Sequence, residues 1–289
     1  MQISIIIPTY APKEYIYDCF SSLSEQTSGI NAFEVIVILN GEKEPYYSNI
    51  ESYLTKHLFK FKLLHTEKKG VSNARNLGLD TIQQNNSHYV LFLDDDDKLS
   101  PNFIEQVSQR ITPDIVVSSN SKVFFDLEEN HLSRDYVSNC YNKNANADYN
   151  IFKYRCFLST VWGKLFPLSV IGNTRFNTNF SIGEDSLFVF EISNKIKKIV
   201  LTGHDALYLR RIRPASASRK RRSRLSKFKN GCQLCIAYSK AYLKNPFGYN
   251  LLFFISRIIA TLIHIIKRDN SATPDRLMRN ESQNTLSGN

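Results

Sequence analysis

The sequence predicts an α/β fold in which a doubly wound, mostly parallel sheet carries helices on both faces. Two apolar runs rich in β-branched residues, at 3–7 and 35–39, are typical of strands buried on both sides, and the apolar run at 89–93 predicts a further strand. Segments with apolar residues at helical spacing separate them. The chain has 289 residues, of which 42% are apolar and 22% charged, enough for one large domain or two packed halves. This composition excludes collagen-like, mostly disordered and polytopic membrane proteins.

The first hundred residues alternate between predicted strands and helices. A helix over 13–26 links the first two strands, and Gly29 follows it as a stop signal. A third strand at 61–65 precedes a helix with Ser72 as its N-cap and an end near Gln83. The run at 89–93 is the fourth strand. This repeated alternation predicts the doubly wound sheet.

After the fourth strand the pattern is mixed. The predicted elements are helices over 101–110 and 185–196 and strands over 114–118 and 199–201. Residues 126–150 are polar and Asn-rich with weak patterning, so we expect a loop or a poorly ordered insertion there.

Four consecutive carboxylates, Asp94 to Asp97, follow the fourth strand. The carboxyl end of such a strand is where α/β sheets bind ligands. Adjacent negative charges repel each other, and a hard divalent cation with oxygen ligands would relieve that repulsion. For the cluster taken alone, a solvated acidic turn that caps the next helix is the alternative.

Six short motifs follow one another along roughly residues 1–220. They are Ile5–Tyr10, Gly70–Gly78, Leu93–Asp97, Trp162–Phe166, Gly183–Asp185 and Tyr208–Ser216. Together they resemble the family 2 glycosyltransferases of the GT-A fold, in particular bacterial members that build surface polysaccharides. The resemblance implies a GT-A domain over 1–205, with a nucleotide-binding half at 1–97 and an acceptor half at 98–205.

The same resemblance implies a function. The chain would transfer a sugar from a nucleotide-sugar donor, expected to be a UDP-sugar, to a glycan or a lipid-linked saccharide. The product would be a capsule, an O-antigen or a lipooligosaccharide. Direct attack on the anomeric carbon would invert its configuration without a covalent intermediate.

The donor side of the implied site combines residues from several strand ends. It consists of Pro8, Thr9, Tyr10, Asn40, Arg75, Asp94, Asp95 and Arg211. Asn40 stands where the family often has an acid that hydrogen-bonds the base, and an amide, unlike a carboxylate, can also donate. Asp95 occupies the variable position of its motif, so we expect no direct role for it. Arg211 and Ser216 resemble a late loop that closes on the diphosphate in family members, and which of the clustered Arg210, Arg211 and Arg213 reaches the phosphates stays open.

Simpler roles remain open for three of these residues. Tyr10 and Asn40 could be an aromatic and an amide that pack a turn. Arg75 could form an ordinary surface salt bridge.

The resemblance assigns the chemistry to carboxylates. Asp96 would bind Mg²⁺ or Mn²⁺, a Lewis acid for the leaving diphosphate. Asp97 would support that ligand or cap the helix at Pro101. Asp185 would be the general base that takes the acceptor's proton, and Glu184 would orient the acceptor or Asp185. From the local sequence alone, Glu184 and Asp185 could be no more than favourable negative charges at the start of a helix.

The acceptor side is expected to include Trp162 and Lys164. Trp162 is the only Trp of the chain. It could form the apolar platform on which a sugar ring stacks, or it could simply fill the core.

The C-terminal part is strongly basic. Residues 205–289 contain 17 Lys and Arg against 4 Asp and Glu. Within them 251–266 is largely apolar but interrupted by Arg257 and His264, and it is shorter than the ~20 residues of a spanning helix. We therefore expect a basic, amphipathic helical region over 206–268 that associates with an anionic membrane surface, and a disordered tail over 269–289. A helix that packs on the body or forms a dimer is the alternative.

The expected location is the cytoplasm, at the inner face of the plasma membrane. The chain has five cysteines, an odd number, and residues 1–25 lack a basic start followed by an apolar stretch. A sugar-phosphate nucleotidyltransferase is a second possibility, but residues 8–14 lack the glycines of its phosphate loop. A nucleic-acid-binding protein would use the basic region yet leave the carboxylates without a role, so we expect no nucleic acid partner.

Overall fold

The computed structural model describes residues 3–57, 59–83, 88–125, 128–145, 149–213 and 223–266. Their strands are β1 (Ile3–Thr9), β2 (Phe33–Asn40), β3 (Lys60–Thr66), β4 (Tyr89–Phe92), β5 (Lys98–Leu99), β6 (Ile115–Ser118), β7 (Asn120–Phe125), β8 (Glu128–Ser133), β9 (Lys164–Pro167), β10 (Lys198–Leu201) and β11 (Leu207–Arg211). Their α-helices are α1 (Tyr15–Ser24), α2 (Tyr46–Leu54), α3 (Val71–Gln83), α4 (Phe103–Ser108), α5 (Tyr136–Asn144), α6 (Leu168–Ile171), α7 (Glu184–Ile192), α8 (Arg224–Lys244) and α9 (Leu251–Ile266).

A seven-stranded sheet forms the centre, in the order β10-β6-β9-β4-β1-β2-β3. Strands β3, β2, β1 and β4 are parallel, while β9 runs antiparallel to both of its neighbours. The predicted mostly parallel α/β sheet is therefore confirmed. Every residue of β1 and β2 is buried, as their β-branched sequences require.

Helix α3 packs closely on this sheet through Gly78. A Cβ atom on Gly78 would lie 2.9 Å from Cγ2 of Ile6 and 3.1 Å from Cδ1 of Ile38. The absence of a side chain at this position lets the helix approach the strands. One turn earlier the same helix carries Arg75, which is thereby held over the carboxyl ends of the strands.

A second, four-stranded sheet has the order β5-β11-β7-β8. Strand β11 pairs antiparallel with β5, which follows the acidic cluster directly, and parallel with β7. It lies beyond residue 205, where the sequence analysis ended the catalytic domain, yet this pairing makes it part of the body.

The prediction of a loop or poorly ordered insertion over 126–150 is wrong for most of that segment. Residues Glu128–Ser133 form β8, which pairs with β7. Residues Tyr136–Asn144 form α5, where Asp135 caps the helix by accepting a hydrogen bond from the Ser138 amide at 2.8 Å. These elements depend on pairing and packing with distant segments, which weak local patterning does not reveal.

Two predicted helix starts also differ from the structure. Ser72 lies inside α3, which begins at Val71, and its buried hydroxyl oxygen has no hydrogen-bond partner, so Ser72 is not the N-cap. Asp97 does not cap the following helix, because α4 begins at Phe103, with Asn102 at the cap position. Helix α2 was not expected from the sequence.

The C-terminal helices α8 and α9 run antiparallel to each other, and they pack on the body. A Cβ on Gly231 of α8 would overlap Ile265 of α9, and a Cβ on Gly183, just before α7, would lie 2.6 Å from Leu234. Helix α9 has the bounds that the sequence indicates. Among the described residues, none of the helices has the length and apolarity needed to cross a bilayer. Ser216 and the predicted disordered tail lie outside the described residues.

Candidate active site

The carboxyl ends of β1, β2 and β4 meet where the sheet changes its winding direction, between β1 and β4. Folds of this class bind ligands at such a point. The Thr9 hydroxyl donates a hydrogen bond to Oδ2 of Asp95 at 2.5 Å. The Asn40 amide donates to the Thr9 carbonyl at 2.7 Å and accepts from the Gly70 amide at 3.0 Å. These contacts tie the two strand ends to the acidic turn and to the start of α3.

Asn40 therefore uses both functions of its amide on the backbone, and it is buried. Pro8 and Thr9 are buried in β1, whereas Tyr10 is 54% exposed. The ring of Tyr10 lies against Gly41, since a Cβ there would be 2.7 Å from Cε2 of the tyrosine. Of the donor residues at this edge, Tyr10 is the one that offers a free aromatic surface to a base.

Arg75 joins the acidic cluster to α7. Its Nη2 atom lies 2.9 Å from Oδ1 of Asp94, and its Nη1 atom lies 2.6 Å from Oδ1 of Asp185. Although burial lowers the pKa of Arg75, the carboxylates of Asp185 and Asp94 raise it above its usual value. The guanidinium is fully charged and fixes two carboxylates that are 91 positions apart in sequence.

The acidic cluster, Asp94 to Asp97, concentrates negative charge in a partly buried environment. Burial, followed by the neighbouring charge of Asp96, raises the pKa of Asp95 to about 7. Burial and the charge of Asp94 likewise raise the pKa of Asp96. Arg213 offsets part of this charge: its Nε and Nη2 atoms lie 2.6 Å and 2.5 Å from Oδ2 of Asp96. Its guanidinium also covers the ring of Tyr15, at 4.1 Å from the centroid.

Strand β11 supports the acidic turn from the other side. The Arg211 amide donates to Oδ1 of Asp97 at 2.8 Å, and the Tyr208 hydroxyl accepts from the Asp94 amide at 3.1 Å. The Arg211 side chain donates to the Asp96 carbonyl and pairs with Asp18 at 2.5 Å. Arg211 thus braces the turn with its side chain, and it is Arg213 that touches the carboxylate of Asp96.

The sequence left open which of Arg210, Arg211 and Arg213 would reach the phosphates, and it assigned no role to Tyr208 or Asp18. The clustering of these arginines at the end of β11 was the signal for Arg213. No local signal marks the other two, because their contacts join segments about 100 or more positions apart.

Glu184 and Asp185 open α7. The preceding Gly183 has a φ of 87°, in the left-handed region that favours glycine. Burial raises the pKa of Asp185 despite the attraction of Arg75. Burial and then the charge of Asp185 raise the pKa of Glu184 to about 7. Oδ2 of Asp185 accepts a long hydrogen bond of 3.4 Å from the Val161 amide.

Trp162 and Lys164 lie at the start of β9, where Trp162 forms a bridge to Phe92 at the end of β4. Trp162 is 8% exposed, and its ring packs on Tyr208 at 5.0 Å and under the guanidinium of Arg210 at 4.8 Å. The ammonium of Lys164 is buried and donates to the Thr160 hydroxyl at 2.9 Å and to the Trp162 carbonyl at 3.1 Å. Burial lowers the pKa of Lys164 to about 7. This placement favours core packing for Trp162 over an open platform.

The donor set at the end of β4 fits a divalent cation. Asp96 presents hard carboxylate oxygens, its pKa is raised by burial, and it already attracts a cationic group, Arg213. In the described part of the chain, three or more Asp, Glu, His or Cys side chains are nowhere grouped to hold a metal ion. Mg²⁺ is commonly held by one or two carboxylates together with substrate phosphates, and this arrangement matches that mode.

Comparison with known proteins identifies relatives of this chain. The family model of glycosyl transferase family 2 matches residues 4–171. The glycosyltransferase GlyA of Streptococcus pneumoniae is 25% identical over 232 residues, which cover 75% of this chain and 32% of GlyA. The minor teichoic acid biosynthesis protein GgaB of Bacillus subtilis is 26% identical over 281 residues, covering 94% of this chain and 27% of GgaB. The chain thus spans about a third or less of the length of these curated relatives.

Solved structures share the fold. TarS of Staphylococcus aureus in complex with UDP-GlcNAc matches with a TM-score of 0.70 and 17% identity, over 96% of this chain and 78% of that one. The mannosyltransferase PcManGT of Pyrobaculum calidifontis, in complex with GDP-Man and Mn²⁺, matches with a TM-score of 0.55 and 14% identity, over 98% and 79%. The family match covers more than half of the chain, from β1 through the acidic turn to α6. The chain therefore has the GT-A fold and belongs to glycosyl transferase family 2.

Proposed function

We propose that the protein transfers a sugar from a nucleotide-sugar donor to a glycan or lipid-linked saccharide acceptor, with inversion, during synthesis of a bacterial surface polymer. The observation that carries this proposal is the bridge that Arg75 makes between Asp94 and Asp185. Asp94, the proposed donor-side carboxylate, and Asp185, the proposed base, thus contact one buried cation. Both lie at the edge of the sheet where folds of this class bind ligands.

A UDP-sugar is the proposed donor. The exposed ring of Tyr10 offers a stacking surface for the base, and Asp94 is the proposed partner of the ribose. The TarS structures contain UDP and UDP-GlcNAc, which supports this choice of nucleotide. Asp96 is the residue that would hold Mg²⁺ or Mn²⁺, and the ion would act as a Lewis acid on the leaving diphosphate.

Asp185 is the proposed general base. Its burial raises its pKa, which makes it a stronger base than an exposed carboxylate, while Arg75 fixes its orientation through Oδ1. Among the described residues, its Oδ2 atom accepts one hydrogen bond, the long one of 3.4 Å from the Val161 amide, and it can accept the proton of an acceptor hydroxyl. Glu184, next to it, orients the acceptor. Attack then occurs directly on the anomeric carbon, so the product is inverted.

Surface-polymer synthesis at a membrane is supported by the acceptors of the relatives and by helix α9. TarP of Staphylococcus aureus is named for a poly(ribitol-phosphate) acceptor. In α9 the solvent-facing side is aliphatic: Leu251, Leu252, Ile255, Ile259, Leu262, Ile263 and Ile266 are exposed. The sequence from 206 to 266 contains no Asp or Glu. An aliphatic helix face in a segment that has basic but no acidic residues suits the inner, anionic surface of the plasma membrane.

A donor panel tests the proposal. The full chain is incubated with Mn²⁺ and a series of nucleotide sugars, and release of the nucleoside diphosphate is measured. We expect one uridine nucleotide sugar to be consumed preferentially and, with an acceptor, an NMR spectrum that shows an inverted anomeric centre. A product of retained configuration, or release of pyrophosphate from a nucleoside triphosphate and a sugar phosphate, would contradict it.

A further inference from the structure

Lys164, at the start of β9, is a buried cation. It is 0% exposed, although lysine is almost never fully buried without a partner of opposite charge. Among the described residues its Nζ atom has two hydrogen-bond partners, and both are neutral: the Thr160 hydroxyl at 2.9 Å and the Trp162 carbonyl at 3.1 Å. Because no part of it reaches the surface, Lys164 does not contact a substrate, and a role in the reaction must act through these neighbours.

The two partners of Lys164 flank the amide that contacts the proposed base. Val161 lies between Thr160 and Trp162, and its N–H donates to Oδ2 of Asp185 at 3.4 Å. The other carboxylate oxygen, Oδ1, is held by Arg75. A hydrogen bond of 3.4 Å is near the upper limit of useful length, so a small shift of the segment would remove it. The orientation of Oδ2 therefore depends on where residues 160–162 are held.

One end of this segment is fixed by the sheets. Trp162 forms a bridge to Phe92 at the end of β4. The carbonyl of Gly163 accepts hydrogen bonds from the Ser119 amide at 2.9 Å and from the Ser119 hydroxyl at 3.1 Å. The Lys164 ammonium then connects Thr160 to this fixed end, across Val161. Without it, the Thr160 side of the segment loses that tie.

We propose that Lys164 is a positioning residue for Asp185: it holds residues 160–162 so that the Val161 amide orients Oδ2, and its charge favours the ionised carboxylate. Its importance for sugar transfer rests on the proposed function, in which Asp185 is the general base. The effect on the carboxylate itself does not, because it follows from the contacts alone.

The charges around Asp185 agree with this role. The groups that face its carboxylate are Arg75 of α3, Asp94 of the acidic turn, Lys164 of β9 and Glu184, which precedes it in α7. Burial raises the pKa of Asp185, and Arg75 lowers it. The Val161 amide and Lys164 act in the same direction as Arg75, whereas the like charges of the two acids oppose ionisation.

The charge of Lys164 itself depends on pH. Burial lowers the pKa of Lys164 to about 7, while Asp185, Cys156 and Asp135 oppose that shift. The ammonium is therefore charged below about pH 7 and becomes neutral as the pH rises through that value. Its electrostatic effect on Asp185 is present on the acid side and is lost on the alkaline side.

The first test needs no activity. The aspartate carboxyl groups of the full chain are labelled with ¹³C and titrated by NMR, and the Asp185 signal is assigned from its loss in Asp185→Asn. In Lys164→Met the pKa of Asp185 should rise, because a nearby positive charge is removed and the Val161 contact is weakened. Methionine replaces the buried cation with an apolar chain of similar volume, so the fold should persist. Lys198→Met, which removes an exposed cation from β10, is the matched control and should leave the titration unchanged.

The second test is turnover, followed as release of nucleoside diphosphate from the nucleotide sugar that the donor panel selects. Below about pH 7, kcat of Lys164→Met should fall by roughly tenfold, the value of one hydrogen bond to a charged group. KM for the donor should stay near that of the wild type, because Lys164 touches no donor group. The acid limb of the kcat profile should move to higher pH together with the pKa of Asp185.

A second pair of variants separates position from charge. Thr160→Val removes the hydroxyl that Lys164 holds but keeps the ammonium, so kcat should fall while the acid limb moves less than in Lys164→Met. Thr160→Ser restores a hydroxyl and should recover most of the loss. If Lys164→Met does not fold, this pair decides the question, and a kcat of Thr160→Val equal to that of the wild type overturns the proposal.

The two tests distinguish failure of this proposal from failure of the proposed function. A folded Lys164→Met in which neither the pKa of Asp185 nor the acid limb changes overturns the positioning role, even if Asp185→Asn is inactive. A raised pKa of Asp185 in Lys164→Met, combined with normal turnover of Asp185→Asn, supports the contact and shows that Asp185 is not the base. An equal change in Lys198→Met would overturn the proposal in favour of overall charge.

Discussion

Replacement of Arg213 by alanine should tighten binding of Mn²⁺ by the nucleotide-free protein. In the structure two nitrogens of Arg213 hold Oδ2 of Asp96, at 2.6 Å and 2.5 Å, and the two side chains are 27% and 15% exposed. A divalent cation must displace this guanidinium before it can use the carboxylate. Arg213 is thus a competitor for the ligand that we assign to the metal.

The magnitude follows from the contacts. A hydrogen bond to a charged group contributes about 1.5–3 kcal/mol, and about 1.4 kcal/mol corresponds to a tenfold change in affinity. Loss of the competitor should therefore tighten Mn²⁺ binding by about 10- to 100-fold. With UDP present the gain should shrink, because the diphosphate oxygens offer Arg213 another partner.

The assay is electron paramagnetic resonance of free Mn²⁺, with the wild type and the variant titrated at the same pH. Arg210→Ala is the matched control, since it also removes one positive charge, three positions earlier in β11, but frees Asp135, which lies 3.0 Å away, and not Asp96. Unchanged or weaker Mn²⁺ binding by Arg213→Ala would refute the assignment of Asp96 as the metal ligand.

Three further predictions follow from the same contacts. Asp96→Ala should abolish the Mn²⁺ dependence of UDP affinity in calorimetry while the melting temperature stays near that of the wild type; metal dependence that persists would exclude this role. Because the folded state raises the pKa of Glu184 to about 7, the wild type should lose stability relative to Glu184→Gln as the pH rises from about 5 to about 8, and parallel urea-unfolding profiles would contradict this. Flotation with anionic vesicles should fall on raising the salt concentration and in Ile259→Asp/Leu262→Asp, which alters only exposed side chains, and equal recovery would reject membrane docking through α9.

Strong local patterns in the sequence were sufficient to predict the strands and the turn that hold the candidate site. The β-branched runs of β1 and β2 predict buried parallel strands because few other structures bury every residue. The apolar period of 251–266 predicts α9 with its observed bounds. The acidic turn after β4 can also be predicted, because Asp94 to Asp97 directly follow the apolar run of that strand in the sequence.

Other features depend on contacts between distant segments. Strand β8 and helix α5 have weak patterns of their own and are stabilised by β7 and by burial of Val137 and Tyr141. Arg213 reaches Asp96 only because β11 pairs with β5. Trp162, which precedes β9, is covered by the ring of Tyr208 in β11. The local sequence does not indicate which distant segments pair, so the contacts of Arg213 and Trp162 could be identified only from the structure.

The central claim is that Asp185, held by Arg75 beside the donor carboxylates, is the base for sugar transfer. Its most direct test is the turnover of Asp185→Asn measured together with its UDP-sugar affinity. The amide keeps size and hydrogen bonding but cannot take a proton, so transfer should fall by roughly 10²–10⁴-fold while donor affinity is preserved. Near-normal transfer by Asp185→Asn, with the donor bound as in the wild type, would contradict the account.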